Sequence, residues 1–383
     1  MIAKRKTALL LAVSALGMSG TVTFAQDAQT QAELDALRAR VEALEAGKPG
    51  AGTGDLQIGN TTLDVYGYVK ADFFFDTDFE LGDLADATRI GEPADATSGT
   101  FGATVRQSRI GLRTNTPSAI GDIAGQLEVD LFASDGNAEF RLRHANIRIG
   151  DNWLIGQYWT NFQPLDTYPT TVEFNGPVGI PFARVPQVRY TNTLGSDTTF
   201  AFSIEENVGG SDSNDPVLTG SIEYNNDTYL ARASALYGKA QSGAVEVDQT
   251  GFTLSAGIRP WQGGLFQVNY VDGEALGPYL IAAGDAIVNG QANDVDGFTV
   301  EFRQDLSPKW NVGIAYGQEN YDLPTSTGTL SFTEVETIHV NAFYKATDNL
   351  TFSAEFFYGE RNDEPTGRTF DSNRIQLAAQ LNF

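Results

Sequence analysis

At 383 residues, with 41% hydrophobic and 19% charged side chains and a formal net charge of -24, the chain is too mixed in composition for a bundle of membrane helices. It is also too acidic for a nucleic-acid partner, which requires a basic footprint. It has no cysteine, so a disulfide framework, a thiol nucleophile and a zinc-thiolate site are excluded.

The chain opens with basic Lys4, Arg5 and Lys6, an apolar run from Thr7 to Ala15 and the small-x-small triplet Thr23-Phe24-Ala25. This pattern predicts a signal peptide over residues 1–25 and export. No apolar run reaches the length of a transmembrane helix, which leaves strands as the only way to cross a bilayer. Leu34, Leu37, Val41 and Leu44 then recur at an a/d spacing, with Thr30 and Glu33 as a capping box, predicting a short coiled-coil helix over 27–46. Two heptads are too few to be stable alone, so the helix makes sense where several copies are already held together. Residues 47–61, rich in Gly and Pro at their start, read as a flexible linker.

From residue 62 to 383 one pattern repeats. Leu63, Val65, Gly67, Val69, Ala71, Phe73 and Phe75 alternate with Asp64, Tyr66, Tyr68, Lys70 and Asp72, the period of a strand with one apolar and one polar face. About sixteen such segments follow one another, some joined by turns as short as Ser307-Pro308, others by long polar stretches such as 76–100 and 273–294. Carboxylates in those stretches, such as Asp76, Glu80 and Asp86, are too scattered to define a metal site, and no cofactor is expected. The last segment places Ile375, Leu377, Leu381 and the terminal Phe383 on one face, opposite Arg374, Gln376 and Gln380. The fold class expected is all-β: a transmembrane antiparallel barrel of about sixteen strands, wide enough for a water-filled lumen.

Two features bear on what passes through it. The segment near 163–187 carries Pro164, Pro169, Pro177, Pro181 and Pro186 among aromatic and acidic residues, so it is no central strand and is stiff for a loop. It is expected to fold into the pore and narrow it. Arginine, without any lysine, is concentrated between Arg106 and Arg189. Guanidinium is suited to holding carboxylates or phosphates in a wet channel, so Arg109, Arg113, Arg143, Arg148, Arg184 and Arg189, with Asp166 and Glu173 opposite, are the candidate pore and solute contacts. Equally, these arginines could pair with Glu128, Asp130, Asp166 and Glu173 and only shape a transverse field. Simple alternation puts Arg141 and Arg143 on the apolar face; a β-bulge or burial at a subunit interface would reconcile this.

The stretches Leu63-Asp64-Val65-Tyr66-Gly67-Tyr68-Val69-Lys70, Arg106-Gln107-Ser108-Arg109-Ile110-Gly111-Leu112, Arg141-Leu142-Arg143-His144-Ala145 and Arg184-Val185-Pro186-Gln187-Val188-Arg189-Tyr190 resemble the DcaP-like trimeric porins of Gram-negative outer membranes. The resemblance implies a homotrimer with its N-terminal extension in the periplasm. It implies outer-membrane lipid and lipopolysaccharide around the barrel, and contact of the strand ending in Phe383 with the barrel-assembly machinery. It also implies passage of small hydrophilic solutes, anionic ones such as dicarboxylates among them, with Arg109, Arg143 and Arg189 within the matching stretches and Arg113 directly after one of them. His144 and His339 are the only histidines and neither lies beside a nucleophile motif, so no enzyme is expected. A structural anchor reaching into the periplasm through its coiled coil is the rival reading.

Overall fold

The computed structural model describes residues 56–134, 136–209, 212–364 and 366–383. The expected signal peptide, the coiled-coil helix and the linker as far as residue 55 lie outside the described residues. The end of that linker is not loose chain: Leu56–Ile58 turns back through Gly59, whose φ is 64°, and pairs antiparallel with Thr61, Thr62 and Leu63.

Among the described residues, sixteen barrel strands follow one another. They are β1 (Thr61–Asp76), β2 (Thr100–Thr104 and Arg109–Thr116), β3 (Ile123–Asp130), β4 (Arg141–Ile149), β5 (Trp153–Trp159) and β6 (Arg184–Leu194), then β7 (Thr198–Glu205), β8 (Val217–Asn225), β9 (Tyr229–Ser242) and β10 (Val245–Ile258). β11 (Gly264–Glu274), β12 (Asp294–Asp305), β13 (Trp310–Thr325), β14 (Ser331–Lys345), β15 (Leu350–Glu364) and β16 (Arg368–Asn382) complete the sheet. Each pairs antiparallel with its neighbours, and β16 pairs with β1 from Tyr68↔Asn382 to Asp76↔Arg374. Phe383 closes the seam: its N–H donates to the Gly67 carbonyl at 3.0 Å and its carbonyl accepts from Gly67 N–H at 3.1 Å. No sheet edge is left at that seam, as a hydrocarbon environment demands.

Burial runs inside out. Along β1, Val69 and Phe73 are exposed, whereas Lys70, Asp72 and Asp76 are buried; along β16, Ile375 and Leu377 are exposed, and Arg374 and Gln376 buried. The exposed face meets lipid and the buried polar face satisfies itself: Arg374 grips Asp76 across the closing seam at 2.6 and 2.8 Å, and Gln376 donates to Asp72 at 2.8 Å. Trp153 against Tyr190 and Trp310 against Tyr344 mark the aromatic girdle at the short-turn end.

β2 is broken where a continuous strand was expected. Around the gap the Ser108 hydroxyl stands in for a missing ladder partner, accepting from the Lys70 N–H at 3.0 Å and donating to the Lys70 carbonyl at 3.1 Å. The expected inequality of turns and loops holds for 77–99, 160–183 and 275–293. The β9–β10 connection on the same side is only residues 243–244, because those strands run on to 14 residues each, beyond what a bilayer requires. The long loops do not splay outward. Leu81 and Ile90 from 77–99, Phe162 and Val178 from 160–183, and Leu276 and Tyr279 from 275–293 share one buried apolar core with inward residues of β14 and β15. That core lies within the loop end of the barrel.

Candidate solute pathway

The chain between β5 and β6 lies inside the barrel, fixed to the inward faces of six strands. Lys70 of β1 donates to the Val172 carbonyl, and Asn269 of β11 to that of Thr167 at 2.9 Å. Three inward carboxylates hold its backbone N–H groups. Glu301 accepts from Thr170 at 3.0 Å, Glu355 from Val172 at 2.7 Å and Glu319 from Gly179 at 3.0 Å. Thr337 of β14 accepts from Val178 N–H at 3.2 Å. The wall is shaped to receive the loop. A Cβ on Gly317 would stand 2.1 Å from the Val178 carbonyl oxygen, and one on Gly297 would stand 2.7 Å from Gly179 Cα. Neither wall glycine has a left-handed φ; the need is for close backbone approach.

Opposite that seat, β2 to β6 carry the arginines. Between β3 and β4 the register shifts: Glu128 pairs with His144 and Val129 with Leu142, so Arg143 is the extra residue of a bulge. The bulge brings Arg141, Arg143 and His144 to the interior together, and Gln157 donates to the carbonyls of Leu142 and Arg143 at 3.2 and 3.0 Å. Arg143 bonds Glu128 at 2.8 Å and Asp130 at 3.0 Å, and Arg141 takes Asp130 bidentately at 3.0 and 2.8 Å. Arg109 lies 3.5 Å from Glu128. Arg184 reaches no carboxylate within ion-pair distance among the described residues; its guanidinium rests 4.9 Å from the centre of the Trp159 ring and 6.0 Å from that of Phe182. Phe174 lies against Arg141 and Arg143, each at 5.5 Å, so the inserted loop meets the arginine wall through aromatic faces.

The other candidates fall elsewhere. Arg113 stacks on Tyr66 at 3.8 Å and Arg148 on Tyr158 at 5.0 Å, both nearer the short-turn end. Arg189 is 4.0 Å from Glu205 and donates to the Trp159 carbonyl, a wall contact away from the Glu128–Asp130 group. Asp166 is exposed and accepts from Asn225 at 3.1 Å. Glu173 does not face a pathway. It is 3% exposed and turned onto its own loop, where it accepts the Asn175 N–H at 2.8 Å and that of Gly176. Burial, partly offset by His339, pushes its carboxyl up to about 7.

Arg184 also lies in β6, where it pairs with Trp159, and not in the loop to which its position near five prolines assigned it. Pro186 follows it in the same strand, opposite Gln157. Sequence reasoning passed over Glu301, Glu319, Glu355, Gly297 and Gly317. The available signal was inward parity: each sits where a strand facing open water had no need of a glycine or a lone carboxylate.

The family model of the DcaP outer membrane protein matches residues 32–383. No curated protein matches the chain. Among solved structures, the outer membrane channel DcaP of Acinetobacter baumannii is similar over 87% of this chain and 100% of its own, with a TM-score of 0.78 at 23% identity. An anion-selective porin from Comamonas acidovorans is similar over 84% of this chain and 100% of its own, at 12% identity and a TM-score of 0.59. The trimer form of OmpT, an outer membrane protein of Vibrio cholerae, is similar over 84% of this chain and 99% of its own, at 15% identity and a TM-score of 0.55. At these identities the structures establish the fold.

Proposed function

The chain belongs to the DcaP outer membrane protein family, and from that premise we propose that it is a passive diffusion channel for small hydrophilic solutes that favours anions, dicarboxylates among them. The observation that carries this reading is the opposition of the inserted loop and the arginine wall. With the loop hydrogen-bonded to one side of the lumen and touching the arginine wall through Phe174 and Phe182, solute is left to pass beside that contact, where Arg109 and Arg141 stay partly exposed. There Arg109, Arg141, Arg143 and Arg184 face the two carboxylates Glu128 and Asp130, a surplus of two positive charges. Residues near 163–183 act as the constriction, and no chemistry is performed on the solute.

In the same reading the channel is a homotrimer held by barrel contacts, in line with the trimeric form of a structural relative. Residues 1–25 are removed on export, 27–46 stand on the periplasmic side, and the strand ending in Phe383 is recognised during barrel assembly. Lipid and lipopolysaccharide cover the apolar outer face. The test is the reversal potential of the purified channel in planar bilayers under asymmetric potassium chloride, with and without added succinate. An anion-favouring potential and a succinate-dependent reduction of current are expected. A cation-favouring potential that succinate leaves unchanged would refute the anionic preference.

A further inference from the structure

Most lumenal arginines are already spoken for by carboxylates; Arg184 is covered by aromatic rings instead, and Arg113 and Arg148 are left both unpaired and exposed. Neither Arg113 of β2 nor Arg148 of β4 has a carboxylate oxygen within 4.0 Å among the described residues, and both are exposed within the lumen. Each instead lies on a tyrosine. The Tyr66 ring is itself fixed, its hydroxyl donating to Glu128 at 2.9 Å and accepting from Gln126 at 2.7 Å. It lies flat because its cross-strand partner is Gly111, where a Cβ would come 2.3 Å from the ring. Stacking holds a guanidinium by its face and leaves the N–H edge free to donate.

The two arginines line one cavity of about 390 Å³, together with Gln126, Asn146, Tyr158 and Asp64. Asp64 is the one acidic residue on that wall and pairs in register with Arg113, yet the guanidinium turns to the tyrosine and not to it. Register gives the spacing. Arg113 is opposite Gln126, Gln126 is opposite Asn146, and Arg148 is two residues beyond Asn146. Two strand separations of ~4.8 Å and two residues of ~3.4 Å set the Cα atoms about 12 Å apart, with side chains long enough to converge on a small molecule between them.

We propose that this cavity is a second solute subsite, on the short-turn side of the constriction, in which Arg113 and Arg148 hold the two carboxylates of a short diacid. This rests on the anion-favouring reading above and adds a resting place after the narrow section. Gln126 and Asn146 supply neutral polar contacts, and the tyrosines fix the cations in place at little further cost in side-chain freedom.

The test is current block by succinate in planar bilayers, with acetate as the monoacid control, read for the wild-type chain, for Arg113→Gln/Arg148→Gln and for the charge-preserving Arg113→Lys/Arg148→Lys. Two lost charge-assisted contacts predict an apparent dissociation constant raised roughly tenfold or more in the Gln variant. The Lys variant is expected to lose succinate block several-fold, to an extent of about threefold or more, while keeping the wild-type reversal potential, since charge persists and the planar stacked donor does not. Acetate should not distinguish the three. Equal succinate block in all three overturns the subsite; if the wild-type potential is still anion-favouring, the channel reading stands. A wild-type channel that succinate does not block overturns the subsite, and a cation-favouring potential in addition overturns both.

Discussion

At the scale of single residues, pairing decides what an arginine does. Arg143 is 3% exposed at its side chain and is shared between Glu128 and Asp130, so its removal takes one cation from each of two buried carboxylates and leaves Glu128 with Arg109 at 3.5 Å and Tyr66, and Asp130 with Arg141. Breaking such a pair from one side costs about 3–5 kcal/mol. Arg143→Ala is therefore expected to lower the heat stability of the folded barrel on unheated gels. Arg184→Ala, which removes a cation held only by aromatic rings, should leave that stability nearly unchanged and move the reversal potential toward cations. Equal losses of stability would contradict the distinction. Glu173 makes a second case. Because its carboxyl is raised from 4.5 to about 7, the folded loop holds a proton that the released loop would give up, and its hold weakens as pH rises from about 4.5 to 7 and is level above. Brief openings in single-channel records should become more frequent from pH 5 to 7, and Glu173→Gln should abolish that trend. Alternation alone placed Arg109 and Arg113 correctly on the lumenal face. It misplaced Arg143, because one inserted residue reverses the parity of everything beyond it and leaves no mark in composition.

At the scale of elements, the inserted loop and the wall that receives it form one unit. Proline density marked 163–187 as stiff and packed against something, but not where it would dock, since docking is set by partners more than a hundred residues away in Glu301, Glu319 and Glu355. Glu319 also accepts from Ala282 N–H at 3.4 Å, and Phe182 N–H donates to the Tyr279 carbonyl at 2.7 Å, so the loops 160–183 and 275–293 are tied to each other as well as to the wall. Gly317→Val tests the seat. Its side chain would occupy the place of the Val178 carbonyl, so the loop must lift from the wall. The expected result is a barrel that still assembles, with conductance altered and unsteady; a wild-type record would mean that the loop does not rest there.

At the scale of the whole molecule, the net charge of -24 includes carboxylates that do not face the proposed solute path. Glu336, Glu360 and Asp371 are successive cross-strand neighbours on the outward face, two of them bonded by Tyr316 and Tyr358 at 2.7 Å, and Glu301, Glu319 and Glu355 are occupied in holding the loop. Barrel class and closing seam were legible because the strand period is strict; the apolar core of folded-in loops was not, because it joins residues without any common period. Assembly offers a further check. Barrel contacts, and not 27–46, are proposed to hold the trimer, so deleting residues 27–54 should leave a trimer on unheated gels, and a monomer would reverse that order of importance.

The central claim is that the path for solute runs past the loop between β5 and β6. Excising residues 168–178 and recording single channels in potassium chloride tests it directly. Resistance concentrates at the narrowest section, so the account predicts a conductance raised several-fold together with a weaker preference among ions. A channel of unchanged conductance and unchanged selectivity would contradict it.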